Sequence, residues 1–284
     1  MAEGISGHRI GDALRTATTA LGELPNPRLD AELLLAKALT AARTDLYRDP
    51  ERQLSNREFA RFENFVTARR SGRPIAYITG ETEFWSLRLS INEHVLVPRP
   101  DTEVLVEQAL GVLNRGGDHE VIDLGTGSGA VAAALAHERP DLNVLAIDRE
   151  FDAVTLAQAN FRALGHQRIR VVCGNWLDAC RDRSADVIVC NPPYVDRADT
   201  ASYDASLRYE PEVALFAGDS GLSEIHVVID AARNILRNGG ALLLEHGYEQ
   251  GDAVGERLQE KGYSGIKTFC DLNQHPRVTV GFTS

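Results

Sequence analysis

The apolar residues of the first 73 positions repeat with the period of an α-helix. They form two stripes on either side of Pro25-Asn26-Pro27: Ile10, Leu14, Ala17 and Leu21, then Leu29, Leu33, Leu34 and Ala36. Ser55 and Glu58 have the spacing of a capping box and predict the start of another helix. Residues 1–73 are therefore predicted to form a small helical bundle with its own core.

Between residues 74 and 100 the helical pattern stops. A Ser-Gly-Arg-Pro sequence at 71–74 opens a predicted linker. Apolar and polar residues then alternate over 87–91, and we predict a β-hairpin that turns at 92–93 and returns over 95–97. A helix is expected to start near residue 101, with Asp101 or Thr102 as its cap.

Residues 101–284 predict a single α/β domain, because strand-like apolar runs alternate with helical patterns from about residue 119. We place strands at 120–124, 143–148, 168–173, 185–190, 240–246, 264–271 and 277–283, with helices at 129–138, 150–164, 221–237 and 248–261. The last two strands follow so closely that they predict an antiparallel pair. The result is a seven-stranded, mostly parallel, Rossmann-like sheet whose last strand is antiparallel.

Composition narrows the class of protein. The 284 residues are 43% hydrophobic and 25% charged, which is typical of a globular chain of one large or two modest domains. No signal peptide or membrane-length apolar run is visible, and the four cysteines lack metal-ligand spacing, so we expect a cytoplasmic protein without a metal. Cys173 and Cys190 fall in strand patterns and are expected to be buried.

The net charge of −11 is unevenly distributed. Residues 1–80 carry 12 Lys and Arg against 10 Asp and Glu, so the acidic excess lies in the rest of the chain. Nucleic-acid affinity comes mainly from neutralising phosphates. We therefore expect no direct nucleic-acid substrate.

A glycine-rich turn follows the first strand of the α/β domain. Its sequence is Gly125-Thr126-Gly127-Ser128-Gly129, and Asp148 ends the next strand. Glycines at alternate positions let the backbone approach a ligand, and a carboxylate at the second strand end can accept from both hydroxyls of a ribose. The pattern predicts a nucleoside cofactor, and by itself it leaves NAD and S-adenosyl-L-methionine open.

The fourth strand ends in Asn191-Pro192-Pro193-Tyr194. Two prolines cannot continue a central strand, and they hold the Asn191 amide and the Tyr194 ring in a rigid turn. In open α/β sheets, ligands bind at the carboxyl ends of strands. A hydride-transfer enzyme has no evident need for this corner, so it favours S-adenosyl-L-methionine over NAD.

With these motifs the chain resembles the release factor glutamine methyltransferases, the HemK/PrmC family, and this resemblance implies a class I methyltransferase sheet. The resemblance rests on the sequence blocks at 74–80, 84–85, 97–103, 123–129, 191–194 and 210–218. The glycine turn and the Asn-Pro-Pro-Tyr sequence are shared with many amino-methyltransferases. The Pro-Arg-Pro-Asp-Thr-Glu block and the Glu-Pro…Ala-Leu-Phe-Ala-Gly block are much more specific to this family.

The resemblance implies a reaction and its partners. A methyl group would pass from S-adenosyl-L-methionine, leaving S-adenosyl-L-homocysteine, to the N5 amide nitrogen of glutamine in the Gly-Gly-Gln loop of peptide chain release factors 1 and 2. Residues 1–73 become the candidate release-factor-recognition domain. The cofactor would contact residues 125–129, Asp148, Trp176 and Asn191. The family often has an acid where this chain has Asn175, so a charged contact to adenine is not expected there.

An amide nitrogen is a weak nucleophile, so positioning has to supply most of the catalysis. We hypothesise that the Asn191 side-chain carbonyl and the Pro192 backbone carbonyl accept the two N–H groups of the substrate amide. Pro193 would help to keep this turn rigid, and Tyr194 would pack on the glutamine side chain. The long segment 195–209 is expected to form part of the substrate channel.

Two other functions use the same residues. An N6-adenine DNA or RNA methyltransferase could hold a flipped base with the Asn-Pro-Pro-Tyr sequence, although the acidic charge weighs against it. A non-catalytic cofactor-binding protein would keep the glycine turn without needing Asn191-Pro192-Pro193-Tyr194.

Overall fold

The computed structural model of the protein describes residues 8–113, 117–198 and 205–284. Contacts divide the chain into two units, Met1–Glu81 and Thr82–Ser284. The first unit contains helices α1 (Ile10–Ala20), α2 (Pro27–Leu39), α3 (Asp45–Arg48), α4 (Asn56–Arg70) and α5 (Ile75–Thr79). The predicted capping box at the start of α4 is confirmed. The Ser55 side chain accepts from the Glu58 backbone N–H, and the Glu58 carboxylate accepts from the Ser55 backbone N–H.

The core of the helical unit agrees with the sequence pattern except in α2 and α5. The stripe of Ile10, Leu14, Ala17 and Leu21 is buried, but Leu29 is 39% exposed. Ala31 and Leu35 are fully buried in α2, so the buried face of this helix is rotated relative to the prediction. The start of the predicted linker is itself α5, because Ile75 and Ile78 pack on the same core.

The predicted hairpin exists, but its turn was placed wrongly. It consists of β1 (Glu81–Phe84) and β2 (Leu87–Ser90), and it turns at Trp85 and Ser86, where φ is +52° and +58°. Residues 95–97 form no strand. Two consecutive left-handed residues match the twist of a two-residue hairpin, but such turns usually carry Asn or Gly. The position of the turn could therefore not be predicted from its Trp-Ser sequence.

The second unit is built on the predicted seven-stranded sheet. Its strands are β3 (Glu120–Leu124), β4 (Asn143–Asp148), β5 (Ile169–Cys173), β6 (Ala185–Cys190), β9 (Leu236–Glu245), β10 (Ser264–Cys270) and β11 (Pro276–Phe282). The order across the sheet is β10-β11-β9-β6-β3-β4-β5. β11 is antiparallel to both neighbours, whereas the pairs from β9 to β5 are parallel. The predicted fold class is confirmed.

Helices cover both faces of this sheet. They are α6 (Glu103–Val112), α7 (Ala130–Glu138), α8 (Phe151–Leu164), α10 (Ser223–Ile235) and α11 (Gly251–Glu260); a further short helix, α9 (Glu212–Leu215), lies next to β8 (Phe216–Ala217). Residues of α6, α7 and α8 build one apolar core, and residues of α10 and α11 build the other. Cys190 is fully buried, but Cys173 is exposed because β5 is an edge strand with only one neighbour.

The segment 195–209 lies partly outside the described residues. Its described part contains β7 (Val195–Asp196), which pairs in parallel with β8 (Phe216–Ala217), and a 3₁₀ turn at Ala205–Tyr209. None of the helices in the described ranges combines the length and the apolar character needed to cross a membrane.

Candidate active site

Three strand ends bring the predicted residues together. β3 lies between β4 and β6 in parallel register, with Leu124 opposite both Ile147 and Cys190. A cavity opens at this carboxyl edge. Of the predicted site residues, those that line it are Gly125, Thr126, Gly127, Ser128, Asp148, Trp176, Asn191 and Pro193. The other three, Gly129, Pro192 and Tyr194, are close in the chain but are not among its lining residues.

The glycine turn is a left-handed backbone path. The φ angles of Gly125, Gly127 and Gly129 are +67°, +54° and +83°, which side chains rarely adopt. A Cβ on Gly129 would lie 2.5 Å from the Cζ atom of Phe161. Gly129 is thus required by the packing of α7 against α8, while Gly125 and Gly127 shape the cavity wall.

Asp148 is held at the mouth of this turn by the backbone. Its Oδ2 accepts from the Gly127 N–H at 2.8 Å, and its Oδ1 accepts from the Glu150 N–H at 3.0 Å. Burial raises the pKa of the carboxyl, although these two donors oppose that shift. Each oxygen keeps a further lone pair. The carboxylate is therefore fixed in place and can accept from a vicinal diol such as a ribose.

Asp123 also lines the cavity, although it was not among the predicted site residues. Its Oδ2 accepts from the Thr126 hydroxyl at 2.6 Å and from the Ala132 N–H at 3.2 Å. Burial raises the pKa of Asp123 to about 7. A bound cation would offset the cost of ionising this buried carboxyl. Its signal was its position, an acid two residues before the turn and between the apolar residues Ile122 and Leu124.

Trp176 and Asn175 form another part of the wall. A Cβ on Gly125 would lie 3.7 Å from the Trp176 ring, and the indole Nε1 donates to Glu224 at 2.9 Å. Trp176 is partly buried but reaches the cavity, so it is placed to stack on a flat ligand. The Asn175 amide donates to Asp178 at 3.1 Å, and this contact leaves its carbonyl for a ligand.

The Asn191 corner depends on residues far away in the chain. Asn191 Nδ2 donates to the Thr102 hydroxyl at 3.2 Å. Thr102 was predicted as a possible helix cap, but neither its side chain nor that of Asp101 caps a helix. The segment Pro100–Thr102 is a 3₁₀ turn that runs into α6 without a side-chain cap. The Thr102 hydroxyl is thereby available to the amide.

Tyr194 points its hydroxyl into the interior, where it donates to Glu245 Oε1 at 3.1 Å. Burial raises the pKa of the phenol well above its ordinary value, so it stays protonated. Glu245, at the end of β9, is 1% exposed, and burial raises its pKa to about 7 against the opposing effects of Thr102, Tyr194 and Arg277. Glu245 was not predicted as a site residue, because a single acid at a strand end carries no distinguishing sequence pattern.

An ion pair joins the two family-specific sequence blocks, residues 97–103 and 210–218, beside the Asn191 corner. Arg99 pairs with Glu210, whose side chain is fully buried, and Glu210 Oε2 accepts from the Val97 N–H at 3.1 Å. Both blocks then contribute to the cavity wall through Pro98, Thr102, Val213 and Ala214. The blocks therefore build one wall of the cavity. In the part of the chain that the structure describes, no group of three or more His, Cys, Asp or Glu side chains is placed to hold a metal.

Known proteins match this chain over nearly its whole length. Residues 12–80 match the family model of the PrmC N-terminal domain, and residues 101–207 match that of the methyltransferase small domain. The chain is 43% identical over 268 residues to the release factor glutamine methyltransferase of Escherichia coli, which covers 94% of this chain and 96% of that protein. It is 44% identical over 261 residues to the same-named protein of Pseudomonas aeruginosa, covering 92% and 94%.

A solved structure shows the fold independently. A methyltransferase from Pyrococcus furiosus superposes with a TM-score of 0.53 at 18% identity and covers 70% of this chain and 89% of that one.

Proposed function

Because the chain belongs to the release factor glutamine methyltransferase family, we propose that it methylates the N5 amide nitrogen of the glutamine in the Gly-Gly-Gln loop of class 1 release factors, with S-adenosyl-L-methionine as donor. The observation that carries the proposal is an asparagine carboxamide fixed by a proline corner at the cavity that the glycine turn and Asp148 also line. One part of this cavity suits a nucleoside, and the other suits an amide substrate.

The residues fit the cofactor. Gly125 and Gly127 bring the backbone close to the cavity, Asp148 can accept from the ribose, and the Trp176 ring can flank the adenine. The buried Asp123 carboxylate can stabilise positive charge on the amino acid part of the cofactor. When bound, S-adenosyl-L-methionine supplies an electrophilic methyl group on a sulfonium.

The chain has to make an amide nitrogen react. The lone pair of the amide nitrogen is delocalised into the carbonyl, so alignment and electrostatic stabilisation have to provide most of the catalysis of methyl transfer. Asn191 Oδ1 and the Pro192 carbonyl accept the two N–H groups and aim the lone pair toward the methyl group. The N–CH₃ bond forms as the S–CH₃ bond breaks, and the cationic nitrogen then loses a proton to solvent. Pro193 restricts the turn. In this proposal the Tyr194 ring, whose hydroxyl donates to Glu245, would pack on the glutamine side chain once the substrate is bound.

Membership of the same family also supports proposals for the individual substrates, the recognition domain and the location of the protein. Release factors 1 and 2 are the proposed substrates, and residues 1–73 are the proposed recognition domain. The reaction as written needs no metal and no nucleic acid, and the cytoplasm is the proposed location because translation takes place there.

The test is a methyl-transfer assay with isotope-labelled donor. Purified release factors 1 and 2 are incubated with the protein, digested and analysed by mass spectrometry. Label is expected on the glutamine of the Gly-Gly-Gln peptide. A release factor with Ala in place of that glutamine is the matched control and should stay unlabelled. Label that appears only in added DNA or RNA, or in nothing, would refute the proposal.

A further inference from the structure

Tyr194 ends the Asn-Pro-Pro-Tyr corner, and the two prolines do not fix the direction in which the chain leaves it. A proline ring restricts its own φ angle and the conformation of the residue before it. The two backbone angles of Tyr194 itself are therefore left free by the prolines. Another part of the chain has to set them if the Tyr194 ring is to stay in a fixed position relative to the Asn191 amide.

The connection at residues 245–250 holds Tyr194 at both ends. The Tyr194 hydroxyl donates to Glu245 Oε1 at 3.1 Å. The Tyr194 backbone carbonyl accepts from Gln250 Nε2 at 3.0 Å. Glu245 is the last residue of β9, and Gln250 comes directly before α11. One short connection between these two elements therefore fixes both the ring and the backbone of Tyr194.

The Gln250 amide is itself fixed in one orientation. Its Oε1 accepts from the Gly247 N–H at 2.8 Å, and its Nε2 donates a second hydrogen bond to the Ser220 carbonyl at 3.0 Å. Because a backbone N–H only donates and a backbone carbonyl only accepts, a flipped amide would lose every one of these contacts. Although Gln250 stands at the N-cap of α11, its side chain does not cap that helix.

A strained turn at residues 219–221 packs on the same carbonyl. Its three residues are all left-handed, with φ of +53°, +53° and +83°. The first two are not glycines, and this conformation costs an L residue about 1 to 2 kcal/mol. Such strain persists only where surrounding contacts impose it. A Cβ on Gly221 would lie 2.1 Å from the Tyr194 carbonyl oxygen, so the turn lies directly against the atom that Gln250 binds.

We propose that Gln250 is a positioning residue for methyl transfer. By binding the Tyr194 and Ser220 carbonyls together, it holds the strained turn against the end of the Asn-Pro-Pro-Tyr corner and keeps Tyr194 in a fixed position relative to Asn191. The inference rests on the proposed function, because this corner is the proposed substrate-binding element. Gln250 is not among the described residues that line the cavity, so it acts through Tyr194.

Two substitutions test this role. Gln250→Glu has nearly the same size, but a carboxylate only accepts and would face two carbonyl oxygens. Gln250→Asn keeps the amide on a shorter side chain, and asparagine is a favourable residue at a helix N-cap. For each variant we expect kcat on the release factor to fall about 10- to 100-fold, because a displacement of about 1 Å at the reacting groups costs up to about that much. The Kd for S-adenosyl-L-methionine, measured by calorimetry, should stay within about twofold of wild type.

Gln259→Glu is the matched control. It adds the same charge at an exposed position of α11, and it should leave both kcat and the cofactor Kd unchanged. The proposal is overturned if either Gln250 variant keeps its kcat within about twofold of wild type. It is also overturned if cofactor affinity falls in parallel with kcat, or if both variants are unfolded in thermal denaturation, because Gln250 would then have a general structural role.

The wild-type enzyme tests the proposed function separately. If it leaves the Gly-Gly-Gln peptide unlabelled, the proposed function fails, whatever the variants do. If it labels the peptide and both Gln250 variants match its kcat, only the positioning role of Gln250 fails.

Discussion

The two sides of the cavity are built in different ways. On the cofactor side, the Asp148 carboxylate is held by backbone N–H groups of Gly127 and Glu150, which lie in, or two residues after, one strand-turn-helix-strand unit. On the substrate side, the Asn191 amide is held by the side chain of Thr102, near the beginning of the second unit, and the Tyr194 hydroxyl is held by Glu245 at the end of β9. The cofactor side is a local backbone structure, and the substrate side is a tertiary network of side chains.

This difference predicts different consequences of mutation. Damage to the glycine turn should affect folding or cofactor affinity, because the backbone path is shared by the fold and the ligand. Damage to the Asn191 network should affect turnover with little change in cofactor affinity.

The largest effect is expected for Asn191→Ala. Removing one preorganised group that acts on the reacting atoms costs about 100- to 1,000-fold in kcat. Single-turnover rates at saturating S-adenosyl-L-methionine measure this loss, and calorimetry should give a cofactor Kd within about threefold of wild type. A rate within about threefold of wild type would remove Asn191 from the catalytic step.

Gly129→Ala should be the next largest change. Its Cβ would lie 2.5 Å from Phe161, and φ is +83°, so overpacking and backbone strain together should cost about 2 to 4 kcal/mol of unfolding free energy. Gly165→Ala is the matched control: its φ is +77°, but nothing lies within 4 Å of the added Cβ. It should therefore lose only about 1 kcal/mol. Equal losses in urea denaturation would show that Phe161 yields to the new methyl group.

Asp148→Asn should weaken cofactor binding about tenfold, since a charge-assisted hydrogen bond is exchanged for a neutral one. At saturating cofactor its kcat should stay near the wild-type value. A fall in kcat with unchanged Kd would place Asp148 in the catalytic step and would erase the proposed division between the two sides.

The smallest effect is a pH dependence of stability that comes from Asp123. Its pKa is raised from 3.8 to about 7 by burial, so its favourable contribution is full below about pH 4 and is lost as the pH rises toward 7. The free energy of unfolding of the wild type, measured relative to Asp123→Asn, should therefore decrease from pH 5 to pH 8. Saturating cofactor should reduce this decrease, because a bound cation stabilises the carboxylate. A difference that is flat or rises with pH would contradict the assignment.

The contrast between the two sides also explains what the sequence could predict. The glycine turn, Asp148 and a mostly parallel seven-stranded sheet with an antiparallel last strand follow from local patterns and from the rules of parallel sheets. The Asn191 corner was recognisable as a rigid turn, but its partners were not. Thr102 is 89 residues away and looked like a helix cap, and Glu245 ends an apolar strand without a motif. The hairpin turn at Trp85 and Ser86 was missed for a related reason: tertiary packing imposes a conformation that those residues do not signal.

The central claim is that Asn191 Oδ1 and the Pro192 carbonyl hold the substrate amide. A crystal structure of the protein with S-adenosyl-L-homocysteine and a Gly-Gly-Gln peptide tests it directly. We predict both oxygens at about 3 Å from the glutamine amide nitrogen, with Asn191 Nδ2 on Thr102. An Asn191 side chain turned away from the cofactor sulfur, or a glutamine amide bound elsewhere, would contradict it.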